Sequence, residues 1–136
     1  ISIQFEKGQV KKKYIALLDG IVKEKSGKIV LSFRLDITNR PYQIYDPLQG
    51  KEGISYWKII EIIDGISRIE FKPITGRTHQ LRLHAAHDLG LGCPIVGDAL
   101  YGNGKEGEKM MLHASGLSFQ HPVSKQTLVF ASPPPF

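Results

Sequence analysis

Between Phe71 and Gly102 the chain reads FKPITGRTHQLRLHAAHDLGLGCPIVGDALYG. Arg77, His79, Arg82, His84, His87, Asp88 and Asp98 crowd this stretch, spaced by Gly76, Gly90, Gly92, Gly97 and Gly102. Such groups bind anions, move protons or hold metals. The turn Thr75-Gly76-Arg77-Thr78-His79-Gln80 leads into a helical pattern. A helix start leaves backbone N–H groups free and carries positive partial charge, so it receives phosphate readily. Arg77 and Thr78 would add a forked cation and a hydroxyl. The plain alternative is a Thr-capped helix with a surface arginine. Arg82 lies beside the apolar stripe of Leu81 and Ala85, and a partly buried arginine requires a carboxylate or phosphate partner. Its alternative is a surface arginine whose stem lies along apolar neighbours.

The histidines invite a metal reading that their spacing does not favour. His79 and His84 are five apart and fall on different helix faces, and only His84 and His87 share one. Neither a metalloprotease helix nor a Cys-His zinc pattern occurs. The glycines of GLGCPIVGDALYGNGK match no dinucleotide or phosphate-cradling loop and read as turn formers. No serine sits in a nucleophile elbow. Tyr14 follows Lys11, Lys12 and Lys13, an arrangement that can stack a nucleobase while the lysines meet phosphates. The competing reading is a strand aromatic facing the core beside a solvated charge run.

The elements that must position these groups are strands. Lys12–Leu18 and Ile29–Phe33 read as strands, and Asp19-Gly20 as a turn. RLDITNRPYQIYDPLQGKEG reads as a long structured loop. Ile54–Ile63 and Ile66–Pro73, joined by Asp64-Gly65, predict a hairpin. Leu81, Ala85 and Leu89 fall four apart and predict a helix, with Thr78 as its cap and Gly90 as its end. Met110–Leu112, Leu117–Phe119 and Thr127–Ala131 read as short strands. The expected fold is α+β, a mostly antiparallel or mixed sheet with few helices, as one domain over residues 1–136.

Composition sets the outer bounds. The chain has 136 residues, enough for one domain of ordinary size, and 41% are hydrophobic, which allows a core. No apolar run approaches the roughly 20 residues of a membrane span. The opening ISIQFEKGQVKKKY is amphipathic and basic, unlike a signal peptide. Cys93 is the only cysteine, so no internal disulfide forms, and a cytoplasmic setting is expected. The net charge of +5 fits a polyanion partner, or simply a solvated lysine-rich surface.

Taken in order, the motifs resemble the RluA-type RNA pseudouridine synthases. TGRTHQLRLH (residues 75–84) resembles the family signature. PIVGDALYG, LHASGLSFQHP and the closing VFASPPPF continue the likeness. Upstream, VKKKYIALLDG resembles the V-x-K-x-Y-x-A-x-x-x-G element, and NRPYQIYDPLQGKEGISYW resembles the N-R-P-x-Q…G-K…T-x-W stretch, with Ser55 in place of Thr. Cys93 stands where the family often has His. The resemblance covers essentially the whole chain.

It implies an enzyme that converts uridine in ribosomal or transfer RNA to pseudouridine, without metal or cofactor, on a pseudouridine synthase-like catalytic domain. An aspartate does the central chemistry. Carried over by motif, Tyr14 packs on the flipped base, Arg82 pairs with the aspartate, and Leu112 walls the pocket. Arg77, Thr78, His79 and Gln80 would lie at the pocket and RNA surface, with Arg40 and Lys51 also contacting RNA. The family nucleophile sits in a motif like R-L-D-x-x-T-S-G, before the tyrosine. Arg34-Leu35-Asp36 with Thr38 imitates it, but follows Tyr14, lacks Ser-Gly and runs into Asn39-Arg40-Pro41. Asp36 is therefore expected to be a loop residue, and the nucleophile to precede Ile1.

The chain then reads as the C-terminal portion of a catalytic domain, incomplete on its N-terminal side. Weak or absent activity follows on its own, with an exposed edge or apolar face that favours dimerisation or swapping. The alternatives are a catalytically silent RNA-binding module that keeps the pocket, and a metal-dependent hydrolase using the histidines.

Overall fold

The computed structural model describes the backbone of residues 11–120 and 127–136, with side chains over 11–116 and 131–136. Seven strands form one sheet: β1 (Lys11–Asp19), β2 (Ser26–Leu35), β3 (Gln43–Tyr45), β4 (Lys51–Ile63), β5 (Ile66–Pro73), β6 (Leu112–Gln120) and β7 (Thr127–Ala131). Their spatial order is β3-β2-β4-β5-β1-β6-β7. Every named strand pair is antiparallel. Among the described residues one helix, α1 (Gln80–Ala86), follows β5. The α+β reading is correct.

The hairpin of β4 and β5 forms where Asp64-Gly65 predicted it. Both turn residues have positive φ, 52° and 77°, the backbone whose twist matches that of the flanking strands. The ladder runs from Ile63↔Ile66 to Ser55↔Pro73 with a bulge near Ile60. Alternation then sorts the side chains. Ser55, Trp57, Ser67, Ile69 and Phe71 are buried, while Tyr56 and Lys72 are exposed. Ala16 and Leu18 of β1, with Ile29, Leu31 and Phe33 of β2, extend the same buried face. Leu81, Leu83 and Ala85 of α1 and Ile95 of the following loop complete the core.

Three expectations need correction. The segment after Leu35 is not all loop. Gln43–Tyr45 pairs with Leu35–Phe33 as β3, and a three-residue edge strand among turn formers leaves no periodic signal. The helix is shorter than its stripe: it ends at Ala86 with His87 as C-cap, so Leu89 lies outside it and is 60% exposed. Its N-cap is His79, at φ 57°, rather than Thr78, and no side chain caps it. Finally, Met110–Leu112 and Leu117–Phe119 are not separate strands. One strand, β6, runs through Leu112–Gln120, and its register against β1 shifts between Lys13↔Gly116 and Tyr14↔Ala114, which leaves Ser115 as the extra residue.

The loop from α1 to β6 is tied to the sheet rather than free. Asp19 donates to the Pro94 carbonyl at 2.7 Å, Val96 donates to that of Leu17 at 2.8 Å, and Met111 donates to that of Val96 at 2.8 Å. Gly97 has φ 85°, and a Cβ there would lie 2.2 Å from the Lys109 carbonyl oxygen, so only glycine lets the two backbone segments pass. The pass carries Asp98 under the helix. No helix among the described residues is long and apolar enough to cross a membrane.

Candidate active site

β1, the β5–α1 turn, α1 and the start of β6 enclose a cleft of about 370 Å³. Tyr14 and Leu112 line one part of it, and Arg77, His79, Gln80 and Arg82 another. Six of the residues singled out from sequence thus meet in one cleft. Strand alternation puts Tyr14 there: it pairs with Phe71 on one side and Ala114 on the other. Leu112 reaches the same face because it starts β6 opposite Ala16. Thr78, Arg40 and Lys51 are exposed and do not line the cleft.

Arg82 has the anionic partner its burial required. Asp98, 0% exposed, accepts Arg82 Nε at 3.1 Å on Oδ2 and Nη2 at 2.5 Å on Oδ1. The reading as a snorkelling surface arginine is therefore excluded. The backbone N–H groups of Leu100 and Tyr101 also donate to Asp98 Oδ1, at 3.0 and 3.2 Å. Burial alone would push the Asp98 carboxyl up. The hydrogen bonds from Arg82, Tyr101 and Leu100 outweigh it and hold the carboxyl below its usual value. The bond to Asp98 in turn raises Arg82. The guanidinium also lies 5.4 Å from the centre of the Tyr101 ring.

Tyr101 links this pair to the helix start. Its hydroxyl accepts the Gln43 N–H at 3.0 Å and lies 2.8 Å from His79 Nδ1. The direction of that contact follows the His79 tautomer: Nδ1 accepts the hydroxyl proton when the ring proton is on Nε2, and donates when it is on Nδ1. Burial, then the neighbouring Arg82 charge, lowers the His79 pKa and keeps that ring neutral. The edge strand β3 that sequence reading missed is what supplies Gln43.

Gln80 departs from the expectation of an RNA-surface residue. It is 5% exposed, and its amide is taken up within the chain. Oε1 accepts Thr75 Oγ1 at 2.6 Å and the Arg77 N–H at 3.0 Å; Nε2 donates to the Ile54 carbonyl at 3.0 Å and Ser55 Oγ at 2.8 Å. Gln80 thus shapes the turn that presents Arg77. Arg77 is exposed, and its Nε donates to the Glu52 carbonyl at 2.9 Å, which fixes the stem of its fork beside β4.

His84 faces inward. It is 0% exposed, its Nδ1 lies 3.0 Å from Ser55 Oγ, and its Nε2 has no hydrogen-bond partner among the described residues. No group of three His, Cys, Asp or Glu side chains among them could hold a metal ion. Burial pushes the His84 pKa down to about 4. A titratable group lowered in the folded state costs stability wherever only the unfolded chain takes the proton. Stability should be full above the ordinary value near pH 6.5, fall as pH drops towards 4, and level off below it. The loss is of order 3 kcal/mol. Urea unfolding at pH 7 and pH 5 should show it, and His84→Gln should flatten that slope; an unchanged slope would remove His84 as its source.

Asp36 is a loop residue: it accepts the Thr38 hydroxyl at 3.0 Å and lies outside the cleft lining. Sequence reading noticed Asp98 but gave it no role. Its GDALYG setting was a signal, yet only the loop's path brings it to Arg82, sixteen positions back in sequence.

Comparison with known proteins gives the family. A profile of the RNA pseudouridylate synthase family matches residues 1–87. The chain belongs to that family. It is 39% identical to an uncharacterised RNA pseudouridine synthase of Zymomonas mobilis, over 99% of this chain and 62% of that one. It is 36% identical to the dual-specificity RNA pseudouridine synthase RluA of Pasteurella multocida, over 98% and 61%. The solved human RNA pseudouridylate synthase domain containing 1 superposes with a TM-score of 0.81 at 33% identity, over 99% of this chain and 59% of that one. The chain therefore spans about three fifths of the length of the relatives it matches.

Proposed function

We propose that the protein to which this chain belongs converts specific uridines to pseudouridine in structured RNA, ribosomal, transfer or both, in a cytoplasmic setting. The observation that carries the reading is the state of Arg82. Asp98 takes the Nε–Nη2 edge of the guanidinium. Arg82 also lines a cleft shared with Tyr14 and Leu112, where a second carboxylate would meet the same guanidinium. That second carboxylate is the nucleophilic aspartate expected before Ile1.

The chemistry then follows. A flipped uracil stacks on Tyr14 and recovers the contact it lost in RNA, against the apolar wall of Leu112. The carboxylate, held ionised by Arg82, promotes cleavage of the bond between N1 and C1′. The ring turns, C5 bonds to C1′, a proton leaves C5 and another is gained at N1. Arg77 and His79 stand at the cleft for RNA, and Thr78, Arg40 and Lys51 offer further exposed groups outside its lining. No metal or cofactor enters this scheme.

No acidic residue lines the cleft among the described residues. For this chain alone, that favours RNA binding without turnover. The deciding experiment measures pseudouridine in uridine-labelled bulk RNA for this chain and for its full-length parent. Product with the parent only supports the proposal; product with this chain would make Asp36 or another carboxylate here the nucleophile; none with either leaves a silent binding module. RNA affinity should fall steeply with salt. Each phosphate contact contributes a slope of roughly 0.7–0.9 in log K against log salt. A titration between 50 and 200 mM salt with no such slope would refute RNA binding through these cations.

A further inference from the structure

We infer that the sheet carries a second RNA-contact surface, on the face turned away from the cleft. One base of a single-stranded segment stacks on Tyr56 there, and Lys28, Lys58 and Lys72 meet its phosphates. The inference rests on the reading of RNA as the partner of the cleft.

Strand register places the two surfaces on opposite faces. Tyr14, Phe71 and Trp57 stand opposite one another across β1, β5 and β4, on the side of the core and the cleft. Their neighbours along each strand point the other way. On that other side Lys28 of β2, Tyr56 of β4 and Lys72 of β5 form one row in register. Ser26, Lys58 and Glu70 form the next. Together they line a shallow depression of about 470 Å³, a size that small ligands occupy.

Its charge is one-sided. Glu70 is the one acid among the described residues that line it, and it is only 8% exposed. Lys58 lies 3.1 Å from its carboxylate and Lys13 3.8 Å. Among the described residues Lys28 and Lys72 have no carboxylate partner, and Glu61, further along β4, is taken by Arg68. Four lysines thus face one acid, an excess that suits a polyanion.

Tyr56 decides which polyanion. It is 46% exposed in the middle of its row, with a lysine on each neighbouring strand. An aromatic plane among cations serves a base on a phosphate backbone, and does nothing for an acidic peptide or a lipid headgroup. Lys28 Nζ lies 5.8 Å from the ring centre, near the outer limit of a cation–π contact, so an incoming base displaces little. By strand spacing the two flanking lysines start roughly 10 Å apart. A base on the ring therefore carries its backbone past one or the other.

The test uses the full-length protein and a structured RNA. The double variant Lys28→Gln, Lys72→Gln should bind RNA more weakly and lose about 1.4–1.8 from the slope of log K against log salt. Tyr56→Ala should weaken binding roughly 5- to 150-fold with the slope kept. Tyr56→Phe retains the ring face and should bind like wild type. Turnover at saturating RNA should be unchanged in all of them, because none of these residues lines the cleft. The side chains are exposed, so thermal midpoints should hold. Affinity and slope unchanged in these variants, while Arg77→Gln weakens binding, overturns the inference and leaves RNA binding at the cleft intact. A lowered thermal midpoint with RNA affinity unchanged also overturns it, since the face is then covered within the protein. So does loss of binding to a polyglutamate peptide with RNA affinity unchanged, which assigns the face to an acidic protein segment. A wild-type protein that binds no RNA instead defeats the reading of the cleft itself.

Discussion

Arg82→Lys in the full-length protein should lower pseudouridine formation by about 10²–10³-fold, the range seen when one preorganised donor is removed from an active site. The guanidinium does three things at once. It binds Asp98 through two nitrogens, lies on Tyr101, and lines the cleft. An ammonium is a point charge with no plane. It can satisfy buried Asp98 or reach towards an incoming carboxylate, and cannot do both in fixed geometry. Because lysine still neutralises Asp98, the variant should fold, and its thermal midpoint should stay within several degrees of wild type. RNA affinity should change little, since net charge is preserved. Near-normal turnover would take Arg82 out of the catalytic pair.

Phe71→Ala should destabilise the chain by about 3–5 kcal/mol. Phe71 is 0% exposed and stands in the middle of the sheet, opposite Trp57 on one side and Tyr14 on the other. Removing the ring leaves a cavity that two flanking strands cannot close without breaking their ladders. For a domain whose whole stability is typically about 5–15 kcal/mol, that loss takes a large share. The urea midpoint should drop while the slope of the transition is kept. A loss below about 1 kcal/mol would mean that the core refills around the gap. Tyr14, directly opposite in register, would lose its support, so any activity that survives should be weaker even where the variant is folded.

What could be read in advance was local. Asp64-Gly65 between two β-branched runs announced the hairpin, because positive φ at two successive residues restricts the types that fit. The strand-like run Lys12–Leu18 placed Tyr14 beside lysines on a strand. The resemblance to a family gathered Tyr14, Arg82 and Leu112, and the structure puts all three around one cleft. What could not be read depended on distant partners. β3 exists because β2 offers it an edge, not because Gln43–Tyr45 has a pattern of its own. The N-cap is His79 rather than Thr78, where Gln80 turns back to Thr75 and Ile54 and fixes the entry angle. Asp98 became the partner of Arg82 only once the loop was threaded through the contact that Gly97 permits.

The polar contacts of α1 have a consequence in time as well as in space. A helix of seven residues is far too short to persist alone in water, where a dozen or more are needed. Gln80 joins it to Ile54 and Ser55, His84 to Ser55 again, and Arg82 to Asp98. Its lifetime is therefore borrowed from the sheet. Amides held by these contacts should therefore exchange with solvent more slowly than those of a free seven-residue helix. The wall of the cleft that carries Arg82 is thus anchored to the sheet rather than standing on its own helix.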